Sequence, residues 1–152
     1  LATYTHAIPT EVPVIRFDAP VIFTNTELLK SCIRDAVRAR REHIEEKSIE
    51  LSLGPQWMAV VLDCRSWTHT DAMGVDAIRE INEEMLNKEV LLIFANLNSM
   101  IRIQYARAGL FKTLREHQFC PSIDDGLIVA EKLQSNSQAF FQVEKEETIG
   151  VM

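Results

Sequence analysis

Hydrophobic and polar positions first alternate at Val12-Pro13-Val14-Ile15-Arg16-Phe17, which puts Val14 and Arg16 on one side of an extended segment and Ile15 and Phe17 on the other. Asp18-Ala19-Pro20 breaks this strand, and Val21-Ile22-Phe23 reads as a short second one. Thr24-Asn25-Thr26-Glu27 has the spacing of a capping box, in which Thr24 and Glu27 satisfy each other's free backbone donors. In the helix that follows, Leu28, Leu29, Cys32, Ile33, Ala36 and Val37 make an apolar stripe, with Arg34, Arg38 and Arg41 on another face. Charge dominates from Arg38 to Lys47, and Gly54-Pro55 stops whatever structure reaches that far, so this stretch is expected as a solvated helix end and loop.

The unbroken apolar run Trp57-Met58-Ala59-Val60-Val61-Leu62-Asp63 is that of a central strand covered on both faces, which implies a parallel sheet. Asp71 or Thr70 caps the next helix, whose residues Val75, Ile78, Ile81 and Met85 form a core stripe while Asp76, Arg79, Glu80, Glu83 and Glu84 face water. Val90-Leu91-Leu92-Ile93-Phe94-Ala95 is a second central strand. Asn96-Leu97-Asn98-Ser99 then supplies caps for a helix from Met100 to Ala108, terminated by Gly109. An extended piece around Phe119 leads through Pro121-Ser122 into a last helix, capped by Ser122 with Asp125 and carrying Leu127, Ile128 and Leu133. The domain is expected to end near Leu133. Gln134 to Met152 reads as a flexible tail, interrupted by the aromatic pair Phe140 and Phe141. Strands alternating with helices define an α/β domain with a small, largely parallel sheet, and ligands of such sheets gather beyond the strands' carboxyl ends.

Composition narrows the classes further. The 152 residues carry 16 Lys and Arg against 22 Asp and Glu, a net charge of −6, with 25% of residues charged. This describes one soluble globular domain, able to bury roughly 70% of its unfolded surface without a metal or disulfide. The negative balance excludes a general nucleic-acid binder, which needs a broad positive field. Arg38 to Lys47 is basic enough to consider for anionic lipid headgroups, but its own acidic residues blunt the field and favour a solvated face. Cys32, Cys64 and Cys120 are odd in number and widely spaced, which suits a reducing compartment, with Cys32 and Cys64 read as small core residues. The apolar runs fall far below the roughly 20 residues of a membrane span. A start at Leu1 without a signal peptide is expected of a fragment cut from a longer chain.

Candidate chemistry gathers where a buried strand meets a helix start, from Asp63 to Gly74. Unpaired backbone N–H groups and a positive dipole there suit an anion, although Asp71 is better read as the helix cap and its carboxylate would compete with a phosphate. Neither a P-loop nor a dinucleotide fingerprint occurs. His6, His43, His69 and His117 lack metal-ligand spacing, no nucleophile motif accompanies His69, and Asp124-Asp125 complements a helix dipole. No catalytic constellation, cofactor or metal is expected.

The ordered segments Phe17-Asp18-Ala19-Pro20, Val61-Leu62-Asp63, Asp71-Ala72-Met73-Gly74-Val75, Ala95-Asn96-Leu97-Asn98-Ser99 and Arg107-Ala108-Gly109-Leu110 resemble a STAS domain, more narrowly the carboxyl-terminal STAS domain of a SulP-type anion transporter. The resemblance runs from about Val12 to Leu133. It implies a non-catalytic module with a four-helix α/β fold. Bacterial anti-sigma-factor antagonists use the same module, with a phosphorylated Ser or Thr just before the motif glycine; that position is Met73, which has no hydroxyl and favours the transporter branch. In that branch, residues 1–11 are the linker from a membrane domain, 12–133 the STAS domain and 134–152 a tail. The family's long insertion after the first helix is short here, roughly Arg40 to Gln56.

The same resemblance implies a place on the cytoplasmic face of a membrane. It implies contacts with the transporter's own membrane domain, a second copy in a homodimer and cytosolic regulatory proteins, in support of sulfate, chloride, bicarbonate or oxalate movement. The candidate anion or partner loop is Thr70, Asp71, Ala72, Met73 and Gly74 with Asn96, Asn98 and Ser99. Two other readings stay open: a freestanding partner-switch protein of the anti-sigma-antagonist kind, and a small-anion or nucleotide sensor at Asp71 to Gly74.

Overall fold

Among the described residues, five strands lie side by side in the order β1-β2-β3-β4-β5. They belong to a computed structural model that describes residues 3–7, 12–51 and 57–135. β1 (Thr3–Ala7) runs antiparallel to β2 (Pro13–Phe17), whereas β2, β3 (Met58–Asp63), β4 (Val90–Ala95) and β5 (Phe119–Cys120) are mutually parallel. The crossovers are α1 (Thr26–Leu51), α2 (Ala72–Asn87) and α3 (Ser99–Arg107), and α4 (Ile123–Ser135) follows β5. The result is the expected α/β fold, with a small, mostly parallel mixed sheet and, among the described residues, four α-helices. The stretch read as linker contributes β1, whose register pairs Ala7 with Pro13, the first residue of β2, where a missing N–H is tolerated.

Every residue of β3 and β4 is buried, because successive side chains enter opposite cores. Val60, Leu62, Leu92 and Phe94 pack with Leu29, Ile33, Ile78, Ile81, Ile101 and Tyr105 beneath α1, α2 and α3. Ala59, Val61, Leu91 and Ile93 pack with Ala130 and Leu133 beneath α4. Three crossover helices therefore cover one face and α4 the other. Between α2 and the sheet lies one buried amide pair: Gln118 Nε2 donates to Asn82 Oδ1 and to the Leu92 carbonyl, each at 2.9 Å, and Gln118 Oε1 accepts from Arg115 N. The polar atoms find partners, so their burial costs little.

Five local expectations change. Val21-Ile22-Phe23 is not a strand; Val21 makes a single parallel bridge to Thr70 and the chain turns at once, with Ile22 N donating to the Pro20 carbonyl. Three residues after a proline are too few to build a ladder. The first helix opens at Thr26 and not after a Thr24 cap: the Asn25 carbonyl accepts its first bond, from Leu29 N, while the Asn25 amide donates to the Pro20 carbonyl. That helix also runs on to Leu51, through the charged stretch expected to end it, because Arg, Glu and Lys are good helix formers and charge on an exposed face does not oppose helix. Cys64 is fully buried as expected, but Cys32 is only half-buried. The third helix starts at Ser99, one residue before its expected start. Residues 136–152, including Phe140 and Phe141, lie outside the described residues.

The arginines of α1 do more than face water. Arg34 holds Glu84 of α2 through two bonds of 2.8 Å, Lys30 pairs with Glu80, and Arg41 donates to the Lys88 carbonyl. The Arg34 guanidinium lowers the Glu84 carboxyl to about 2. A carboxylate depressed in the folded state stabilises the fold fully above its unfolded value near 4.5 and loses that contribution as pH falls toward 2. Acid titration of stability is therefore expected to show a loss in this window that Glu84→Gln flattens, at a cost near neutral pH of roughly 0.5–1 kcal/mol for a pair that water still reaches. Identical acid profiles for the two proteins would show that the clamp does not contribute.

Candidate functional site

The four helix starts and the carboxyl ends of the parallel strands share one edge of the sheet, since each helix follows the strand before it through a short loop. Asp63 ends β3 with its carboxylate buried; Oδ1 accepts from Arg65 N and from Asn96 Nδ2, each at 3.2 Å. That second bond ties the loop after β3 to the loop after β4. Asn96 sits at φ 61, a conformation Asn tolerates better than most residues, and its N–H donates to the Cys120 carbonyl. Cys64 N donates to the Ala95 carbonyl at 2.8 Å, and burial pushes the Cys64 thiol well up, so it is an inert core sulfur.

Trp67 is the loop's anchor. It is 1% exposed, its indole N–H donates to the Phe17 carbonyl at 3.2 Å, and its ring meets Phe94 edge-on at 6.2 Å. One residue earlier, Ser66 Oγ donates to Asp18, which also accepts from Arg16 Nε at 2.6 Å; the Arg16 bond and then the Ser66 bond hold the Asp18 carboxyl below its usual range. Neither Trp67, although it lies within the Asp63 to Gly74 stretch, nor Asp18 is among the candidate loop residues that the sequence singles out.

Thr70 Oγ1 donates to the Val21 carbonyl at 2.8 Å. Asp71 caps α2 as expected, Oδ1 accepting from Gly74 N at 2.7 Å, while Oδ2 accepts from Phe23 N at 3.1 Å. These two backbone bonds, Gly74's first, keep its carboxyl below the usual carboxylate range. Gly74 has no room for a side chain: a Cβ there would stand 1.9 Å from the Val21 carbonyl oxygen and 2.5 Å from Thr70 Oγ1. Ala72 and Met73 point away from this junction into solvent, Met73 with 59% of its surface exposed, and Phe23 across from them is 63% exposed. On the neighbouring helix, Asn98 Oδ1 caps α3 by accepting from Met100 N at 2.7 Å, and Ser99 is exposed.

The candidate residues thus share one edge but split by task. Thr70, Asp71 and Gly74 lock the α1 approach to the start of α2; Asn96 and Asn98 shape the start of α3; Ala72, Met73 and Ser99 are surface. The anion positions at α2, α3 and α4 are filled from within, by Asp71, by Asn98 and by Ser122 Oγ accepting from Asp125 N. Among the described residues no group of three or more His, Cys, Asp or Glu is placed to hold a metal ion. His69 is exposed, with Thr68 Oγ1 beside its Nδ1 at 3.2 Å.

This order of elements is matched by the STAS domain family over residues 5–126, and the chain belongs to that family. Over 121 residues, 78% of its length, the chain is 26% identical to Probable sulfate transporter 4.2 of Arabidopsis thaliana, of which it covers 17%. It spans between 17% and 21% of the sulfate transporters it matches. Its fold is similar to part of SLC26A9, with TM-score 0.67 and 16% identity over 92% of this chain and 25% of that one. It is also similar to a protein assigned as an anti-sigma factor antagonist from Thermotoga maritima, with TM-score 0.60 and 9% identity over 85% of this chain and 94% of that one. Among the described residues no helix is long and apolar enough to cross a membrane.

Proposed function

We propose that this chain is the cytosolic regulatory and assembly domain of a multi-pass SulP-type anion transporter of the sulfate, chloride, bicarbonate or oxalate class. It acts through protein contacts, without catalysis. The observation that carries the reading is the Arabidopsis sulfate transporter, in which 78% of this chain aligns to 17% of a much longer protein. Met73 supports it: the surface position just before Gly74 is filled by a thioether, so the hydroxyl that a phosphorylation switch needs is missing. Exposed Phe23 and Met73 flank the Asp71 junction and offer apolar contacts to the membrane domain, a second copy or cytosolic regulatory proteins.

The likeness to an anti-sigma factor antagonist favours the partner-switch reading at the level of fold, and Met73 opposes it at the level of chemistry. A small-anion or nucleotide sensor fares less well, because Asp71 already takes the N–H of Gly74 and sets a carboxylate where an anion would sit. Titration calorimetry with sulfate and nucleotides is expected to show no heat of binding at this edge.

The deciding test is the coding sequence upstream of Leu1, expected to encode a series of apolar spans of about 20 residues each. A complete reading frame without them would overturn the transporter reading and promote the partner switch. In the full-length transporter, Asp71→Ala is expected to reduce surface delivery or transport rate severalfold and leave anion preference unchanged. Altered preference at normal surface abundance would place selectivity in this domain and defeat the proposed division of labour.

A further inference from the structure

We infer that the outer face of α3 and the turn after it bind an anionic phospholipid surface. The chain matches its cations with carboxylates on α1 and α2, as in Lys30–Glu80, Arg34–Glu84 and Arg79–Asp76. It stops doing so along α3. From Asn96 to Arg115 the sequence holds Arg102, Arg107, Lys112 and Arg115 and no Asp or Glu, in a chain whose net charge is −6. Among the described residues none of these four cations has an ion pair with a carboxylate.

Apolar side chains share this face. Ile101 and Tyr105 turn α3 inward to the core, which leaves Met100, Ile103 and Arg107, at spacings of three and four residues, on a stripe toward solvent. Met100 is 65% exposed and Ile103 46%. Gly109, at φ 75, ends the helix, and the Lys112 side chain passes beside it, which brings a second cation close to the Arg107 end of the stripe. Arg102 lies above the Phe111 and Phe119 rings at 5.7 and 5.6 Å, held at the flank of the same helix.

A helix that carries thioether and aliphatic groups next to unpaired cations matches the layers of a bilayer interface, where apolar groups enter the acyl boundary and cations meet phosphates. The acidic remainder of the domain repels the same surface, so attachment is confined to this face. This inference does not rest on the transporter reading, because it concerns the 152-residue chain alone.

The test is co-sedimentation of that chain with vesicles of phosphatidylcholine, with and without phosphatidylserine. Binding is expected to require phosphatidylserine and to weaken with salt. Arg107→Glu with Lys112→Glu is expected to reduce it by about 25-fold or more, from roughly fivefold per cation. Met100→Ser with Ile103→Ser is expected to weaken the binding that persists at high salt. Arg38→Glu, on the exposed charged stretch of α1, is expected to leave binding unchanged. All five altered residues are exposed, and unaltered circular dichroism spectra confirm folding. Absence of phosphatidylserine-dependent binding overturns the inference, as does loss of binding in Arg38→Glu with retention in the α3 variants. Salt-sensitive binding to a polyglutamate peptide without binding to vesicles also overturns it, making the face an acidic-protein contact.

Discussion

Gly74→Ala is expected to destabilise the domain by about 2 kcal/mol, a fall of roughly 4–8 °C in Tm, although alanine is the better helix former. Two effects of opposite sign compete. Replacing glycine inside a helix gains up to about 1 kcal/mol of propensity, less in the first turn where Gly74 sits. Against this, the added Cβ would stand 1.9 Å from the Val21 carbonyl oxygen, which is backbone and has no rotamer to yield with, and 2.5 Å from Thr70 Oγ1. Relief requires the α1 approach to move off the start of α2, which costs about 1–3 kcal/mol in overpacking and strains the Thr70 and Asp71 bonds that cross the same junction. Thermal denaturation followed by circular dichroism measures the balance. Gly74→Val should lose more than Gly74→Ala, and a rise in Tm for the alanine variant would show that the junction opens freely and that propensity wins.

This glycine also marks how far the sequence alone reaches. The central strands Met58–Asp63 and Val90–Ala95 were legible because a strand covered on both faces is apolar along its length, with Asp63 the polar exception where β3 ends. The stripe of Val75, Ile78, Ile81 and Met85 and the cap at Asp71 were legible for a similar reason: each depends on residues within a few positions of one another. β1 was not, since an antiparallel edge strand is defined by its pairing with β2 and not by a pattern of its own. The second half of α1 has the charged pattern of a solvated loop yet is helix, because charge marks exposure and says nothing against helix.

Within the candidate edge the division is the same. The cap from Asp71 to Gly74 spans three residues and shows in the sequence, whereas the bond from Phe23 N to Asp71 spans 48, and the bond from Trp67 to the Phe17 carbonyl spans 50. Nothing in the local run Arg65-Ser66-Trp67-Thr68 distinguishes a buried anchor from a surface tryptophan. The contacts that turn a helix cap into a rigid junction are made by the fold, and so they become visible only with it.

That anchor carries the largest effect expected in the domain. Trp67→Ala is expected to cost about 3–5 kcal/mol, the range for emptying a large aromatic site, because the indole is 1% exposed and fills the space between Phe17 and Phe94. Trp67→Phe keeps most of that packing and removes only the N–H that the Phe17 carbonyl accepts, so it should cost about 1–3 kcal/mol, the penalty of a buried carbonyl left without its partner. The pair of variants separates volume from hydrogen bonding. A structural readout follows from the loop's construction: with Trp67 gone, the segment from Cys64 to Asp71 loses its buried anchor and keeps Cys64 N on the Ala95 carbonyl, the Ser66 bond to Asp18, and the bonds of Thr70 and Asp71 to Val21 and Phe23. Hydrogen exchange at Thr68, His69 and Thr70 should quicken in Trp67→Ala well beyond the change at Leu92 and Ile93 in the sheet, which open only with global unfolding. Equal protection of the loop in both proteins would show that Asp71 and Thr70 suffice to hold it, and that Trp67 serves the core alone.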